Sequence, residues 1–274
     1  MSFKVKTAAL AVSLLAAGGL ALAASSAAHA DPVGIKVVQN TAGEAGYFAN
    51  DNGHTRFRDV QANVTVTPQI KDLNGTLAAG KGALGAELCD PNTGFAGQLG
   101  VWWNGSAYQV VYAAGNLAPA ADPCIMTGLI TPTPQQLLSS YTINKGDVLH
   151  FEIYWNPRGH HHALHFNACD VTQDICRQAT VNTGHEDFYE AGIGAVTNAQ
   201  VLTAPALNLL DSFTGTSFNY YSSTHGWNSI NVPAHWDLQR ADFINSSSQV
   251  AMSSNGSLNG AGNAFNLYEG STSP

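Results

Sequence analysis

Charge is scarce in this 274-residue chain: Asp, Glu, Lys and Arg together make up 11%, with 11 Lys+Arg against 19 Asp+Glu and a net charge of -8 at pH 7. So few cations, nowhere clustered, exclude binding to a nucleic-acid backbone or to an anionic membrane surface. No amphipathic pattern of helix length occurs anywhere, which leaves all-β as the economical fold class. Only four cysteines are present and none stands in a CxxC pair, so a zinc cluster is not expected. Long apolar runs are confined to the first thirty residues, and no second hydrophobic span follows.

That first stretch has the build of a secretory leader. Lys4 and Lys6 precede an apolar segment from Ala8 to Ala23, and Ala28-His29-Ala30 before Asp31 forms a small-x-small cleavage site. Residues 1–30 are therefore expected to be a signal peptide, and 31–274 a single secreted, extracellular β-sandwich domain with a Ser/Asn/Gly-rich C-terminal segment. Loss of the two leader lysines leaves nine basic residues against 19 acidic ones, a balance of about -10. An even number of cysteines in an exported chain predicts disulfides. Local closure favours Cys169 with Cys176 across a hairpin, leaving Cys89 with Cys124 to tie a longer loop.

The segment from Ile143 to Val181 organises the rest. After a turn at Asn144-Lys145-Gly146-Asp147, Leu149, Phe151, Ile153 and Trp155 alternate with Val148, His150, Glu152 and Tyr154. The chain breaks at Asn156–Gly159 and returns with Leu164, Phe166 and Ala168 against His165 and Asn167. This predicts a three-stranded meander with one dry face and one carrying chemistry, as an antiparallel two-sheet β-sandwich of the concanavalin-like, jelly-roll kind requires. Asn52-Gly53 predicts an early hairpin leading into the alternation of Val60, Ala62, Val64 and Val66. Asn104-Gly105 predicts another, joining Gln98–Trp103 to Ser106–Ala113. Pro134 to Ser140 reads as a helical turn, His185 to Ala195 as a strand, Phe213 to Tyr221 as a strand, and Ala264 to Tyr268 as a final edge strand.

Several residue groups invite a function. His160, His161, His162 and His165 could share an ion with His150 or Glu152, but a solvated hairpin tip is the simpler reading, and neither metal nor cofactor is expected. Glu152 and Glu190 are candidates for an acid pair of glycosidase type. Exposed aromatics such as Trp103 and Tyr154 suit stacking on sugar rings.

Gly46-Tyr47, Val60, Val64-Thr65-Val66-Thr67-Pro68, Trp103-Asn104-Gly105, Ile143–Asp147 and Glu186-Asp187-Phe188-Tyr189-Glu190 occur in the order found in the glutamic peptidases, the eqolisins, and over most of the chain the sequence resembles that family. The resemblance implies a secreted β-sandwich and makes Glu190 the catalytic acid. Such enzymes pair the glutamate with a glutamine whose amide supports the oxyanion. The family glutamine stands two residues before a glycine, and Tyr112-Ala113-Ala114-Gly115 puts Ala113 there; Gln109, which shares a face with Val111 and Ala113, and Gln98 are the candidate replacements. The expected role is thus a non-catalytic extracellular binding protein, a monomer, with a cleft taking a peptide or glycan through Glu152, Tyr154, Trp103, His150 and His165. The alternatives are an acid endopeptidase using Glu190 with Gln109 or Gln98, and a carbohydrate-binding or glycan-cleaving module.

Overall fold

A computed structural model describes residues 35–40, 43–50, 56–67, 82–103, 106–116, 135–156, 162–197, 208–220, 237–244, 247–254 and 263–269. The leader residues 1–30, Cys124, His160 and His161 lie outside them. Fifteen strands and no helix are present among the described residues: β1 (Lys36–Asn40), β2 (Glu44–Asn50), β3 (Phe57–Thr65), β4 (Gly82–Asp90), β5 (Phe95–Trp103), β6 (Tyr108–Asn116), β7 (Gln135–Ile143), β8 (Val148–Asn156), β9 (Ala163–Asp170), β10 (Ile175–Asn182), β11 (Glu190–Thr197), β12 (Asn208–Tyr220), β13 (Asp237–Ile244), β14 (Val250–Ser254) and β15 (Ala264–Glu269). They hydrogen-bond in the order β10-β9-β8-β3-β12-β15-β14-β13-β2-β11-β4-β5-β6-β7, with β1 added to β13 in parallel. All other pairings are antiparallel.

This long sheet folds over on itself, so that β3, β8 and β9 pack against β4, β5 and β11 and the whole is a β-sandwich. Period-two alternation builds the core between the two layers. Val60, Ala62 and Val64 of β3 and Leu149, Phe151, Ile153 and Trp155 of β8 face Leu84 and Leu88 of β4, Leu99 and Val101 of β5, and Ala191 and Ile193 of β11. The layers meet closely at Gly97, where a Cβ would lie 2.5 Å from Leu164 and 3.0 Å from Phe166.

The predicted meander is present as β8, β9 and β10, and its opening turn is built as the residue types require. Asp147 accepts from the Asn144 backbone N–H at 2.7 Å, and Gly146 takes a φ of 94°. The hairpin of β5 and β6 also stands as expected. Cys169 and Cys176 are bonded across β9 and β10, with Cα atoms 4.0 Å apart. Cys89 is also disulfide-bonded.

Other expectations are corrected. β2 and β3 do not form an early hairpin: β2 lies between β11 and β13, and β3 between β8 and β12, so both edges of each strand are taken by distant segments. The stretch read as a helical turn is strand β7, whose backbone groups pair with β6. Residues 185–189 are an irregular segment, and the strand begins only at Glu190. β15 is an interior strand, paired on one side with β12 and on the other with β14.

Candidate active site

The side chains that carry chemistry lie on the outer face of the layer formed by β2, β11, β4, β5 and β6. Register partners on adjacent antiparallel strands share a face, so each transverse row can be followed across the sheet. One row runs Phe48, Gly192, Glu87, Gln98 and Ala113. The next, two residues along each strand, runs Asn50, Glu190, Cys89, Ala96 and Gly115.

Gln98 Nε2 donates to Glu87 Oε2 at 2.5 Å, and both side chains are buried. Burial pushes the Glu87 carboxyl well above the usual range; the nearby carboxylates of Glu44 and Glu190 push the same way, and only the Gln98 amide opposes them. Glu190 is 3% exposed and accepts a short hydrogen bond from Asn50 Nδ2 at Oε1. From strand spacing and rise, the Glu190 and Gln98 Cα atoms stand about 12 Å apart on this face. The two residues thus stand on the same face, two strands and one row apart.

The segment entering β11 is pinned so that Glu190 is placed. Asp90, 3% exposed, accepts from the Asn92 N–H and from the Asp187 N–H, each at 2.9 Å. Thr93 donates to Glu186, Arg56 pairs with Asp187 at 3.0 Å, and the Phe188 carbonyl accepts from Phe57 N–H at 2.7 Å. The Phe188 ring is fully buried against Phe95 and Trp155.

Of the two candidate glutamines, the structure brings Gln98 towards Glu190 and keeps Gln109 away. Gln109 lies in the row of Trp102, whose Nε1 donates to its Oε1 at 2.8 Å, roughly 20 Å along the strand from the row of Glu190. Ala113 is the register partner of Gln98, so the methyl and the amide stand side by side on this face. The triplet Gln98-Leu99-Gly100 itself has the spacing of an amide two residues before a glycine, a signal that Ala113-Ala114-Gly115 obscured.

Four expected binding residues sit elsewhere. His150, Glu152 and Tyr154 of β8 and His165 of β9 share the outer face of the opposite layer, so Glu152 and Glu190 are on opposite sides of the sandwich and do not form an acid pair. On that face polar groups pair with one another. Asn167 donates to Glu152 at 2.7 Å, Asn63 Oδ1 lies 2.8 Å from His150 Nδ1, and the Tyr154 and His165 rings stack at 4.3 Å. Burial lowers the pKa of both His150 and His165. Trp103 faces the side opposite Gln98, edge-on to Tyr108 at 4.8 Å, whereas its neighbour Trp102 shares the outer face with Gln98. His162 packs edge-on to His185, and no group of three or more His, Cys, Asp or Glu side chains among the described residues is arranged to hold a metal ion.

No protein-family model and no curated protein matches the sequence. Among solved structures, the chain is similar to scytalido-glutamic peptidase in complex with a transition-state-analogue inhibitor, with a TM-score of 0.52 and 13% identity over 82% of this chain and 97% of that one. It is also similar to SCP-B, a member of the eqolisin family, in complex with the tripeptide Ala-Ile-His, with a TM-score of 0.49 and 13% identity over 82% and 96% of the two chains. The sandwich thus has the fold of a glutamic peptidase.

Proposed function

We propose that the chain is an acid-acting peptidase in which Glu190 is the general base and Gln98 the oxyanion donor. The observation that carries this reading is the placement of the Gln98 amide, braced by buried Glu87, one row from Glu190 on the same outer face. In the reaction Glu190 takes a proton from water as the water oxygen bonds to the carbonyl carbon, and the oxygen that becomes negative accepts from Gln98 Nε2. Glu190 then returns the proton to the amide nitrogen as the C–N bond breaks, leaving a carboxylic acid and an amine. Glu87 is a positioning residue: it fixes the amide plane and, being held protonated by burial, adds no negative charge beside the developing oxyanion.

The leader-like first thirty residues and the disulfides support export into an oxidising, extracellular setting, with peptides as the partners. Peptide release from a denatured protein substrate at about pH 2 to 5 tests the reading, with Glu190→Gln and Gln98→Ala beside the wild type. Loss of cleavage in both variants is the expected result. Cleavage that survives either change overturns these assignments, and a folded wild type that cuts nothing leaves the cleft as the site of a binding protein.

A further inference from the structure

Next to the row of Glu87 and Gln98 lies a row with no side chains over four consecutive strands. Gly46 of β2, Gly194 of β11, Gly85 of β4 and Gly100 of β5 are successive register partners. The strands themselves keep this row bare. A Cβ at Gly85 would lie 1.9 Å from the Leu99 carbonyl oxygen, one at Gly194 would lie 2.1 Å from that of Ala45, and one at Gly46 would lie 2.3 Å from that of Ile193. The result is a trough across the sheet, about 14 Å long by strand spacing, with about 13 Å between the rows that flank it. Phe48, Glu87, Gln98 and Ala113 form one bank, the buried Glu44 and Trp102 stand on the other, and Val111 closes the end at β6. The space over this floor opens to solvent.

We propose that this glycine-floored trough is the specificity pocket of the site and takes an uncharged, apolar side chain of a peptide, from the residue next to the bond whose carbonyl Gln98 polarises. The inference rests on the peptidase reading for its choice of ligand and on the trough for its selectivity. The ladder hydrogen bonds consume the polar groups of the floor, Glu87 and Gln98 are bonded to each other, and the Phe48 ring with the Val111 and Ala113 side chains leaves mostly carbon around the space. A charged side chain entering there gives up its water against a wall that is mostly carbon and whose carboxyl, that of Glu87, is already engaged by the Gln98 amide, while an aromatic or branched aliphatic one buries apolar surface. Continuity with Gln98 places that side chain within one row of the reacting carbonyl.

The test uses blocked tetrapeptides Ac-Ala-Xaa-Ala-Ala-NH2, with Xaa as Phe, Leu, Ala, Lys or Asp, titrated into the full chain carrying Glu190→Gln so that binding is read without turnover. The Phe and Leu peptides are expected to bind at least about tenfold more tightly than the other three, and to shift the backbone amide resonances of Gly85, Gly100 and Gly194. Ala113→Trp, which fills the bank beside Gln98, is expected to abolish the preference. Equal binding of all five peptides, a preference for Lys or Asp, or shifts confined to residues away from the glycine row would overturn the proposal. Selective binding of the Phe peptide by a wild type that cleaves nothing sinks the peptidase reading and leaves the trough standing. Cleavage indifferent to Xaa sinks the trough and leaves the peptidase reading intact.

Discussion

Glu87 and Gln98 are register partners across the β4–β5 hairpin, and the amide of one donates to the carboxyl of the other at 2.5 Å inside the sheet surface. An amide braced in this way has one orientation, and orientation decides whether an oxyanion finds a donor. Removing the amide with Gln98→Ala is expected to lower kcat about 10²- to 10³-fold with little change in KM. Steady-state kinetics on a single peptide checks the split.

On the peptidase reading, Glu87 sets a limit on working pH. Its carboxyl is held protonated well above the ordinary range by burial and by the Glu44 and Glu190 carboxylates, and once it ionises its charge opposes the oxyanion that Gln98 must support. The alkaline limb of activity should therefore move to higher pH in Glu87→Gln, which keeps an acceptor for Gln98 and cannot ionise. Comparing pH–rate profiles of the two proteins measures this, and identical alkaline limbs would remove Glu87 from the pH response.

Asp211 makes the fold itself sensitive to pH. It is fully buried, its carboxyl is pushed up to about 8 by desolvation, and its Oδ2 has no hydrogen-bond partner among the described residues. The group is protonated in both states below about pH 4; above that the unfolded chain ionises and the folded one does not, so stability falls as pH rises and the loss is complete above about 8. The slope from this group is about 1.4 kcal/mol per pH unit across that window. Burial also raises Asp59, Asp170 and Glu186, which adds slope of the same sign. Urea unfolding at pH 4, 6 and 7.5 should show a midpoint that declines with pH, and Asp211→Asn should flatten the decline.

Two glycines should respond differently to alanine. Gly85→Ala drives a Cβ to 1.9 Å from a backbone carbonyl that has no freedom to move, with an expected cost of about 3 kcal/mol. Gly94→Ala meets nothing within 4 Å, and its cost of about 1 kcal/mol comes only from a backbone φ of 72°. Chemical denaturation of the two variants tests the order.

Replacing Cys169 and Cys176 together by Ser opens a loop with a sequence separation of seven and should cost about 2 to 3 kcal/mol in the loop-entropy account. The bridge joins β9 to β10, away from Glu190, so peptide cleavage by the folded variant is expected to be unchanged. Thermal melts and activity at a permissive temperature separate the two effects.

What the sequence made legible was whatever local alternation and turn chemistry determine. The meander from Val148 to Asn182 and the hairpin around Asn104-Gly105 could be read because each strand pairs with its neighbour in sequence and keeps apolar residues at every second place. Strand β13 could not, because the buried pair Arg240 and Asp242, 3.3 Å apart, occupies places where alternation predicts apolar side chains. The Asn52-Gly53 signal misled because the partners of β2 come from β11 and β13, more than a hundred residues further on. In the candidate site, a short motif pointed to Glu190, while the glutamine slot was read at Ala113 and Gln98 entered only as one of two replacements. Only the register shows that these two residues are neighbours across one hairpin.

The two ends of the long sheet, β7 and β10, come together where the layers meet, and Gln173 in the turn before β10 reaches across to donate to the Thr142 carbonyl of β7 at 2.9 Å. An all-strand protein offers its terminal backbone groups as templates on which another chain can grow. Here those two templates lie beside each other and are tied by Gln173, which leaves, among the described residues, the outer edge of β1 as the strand border open to such growth.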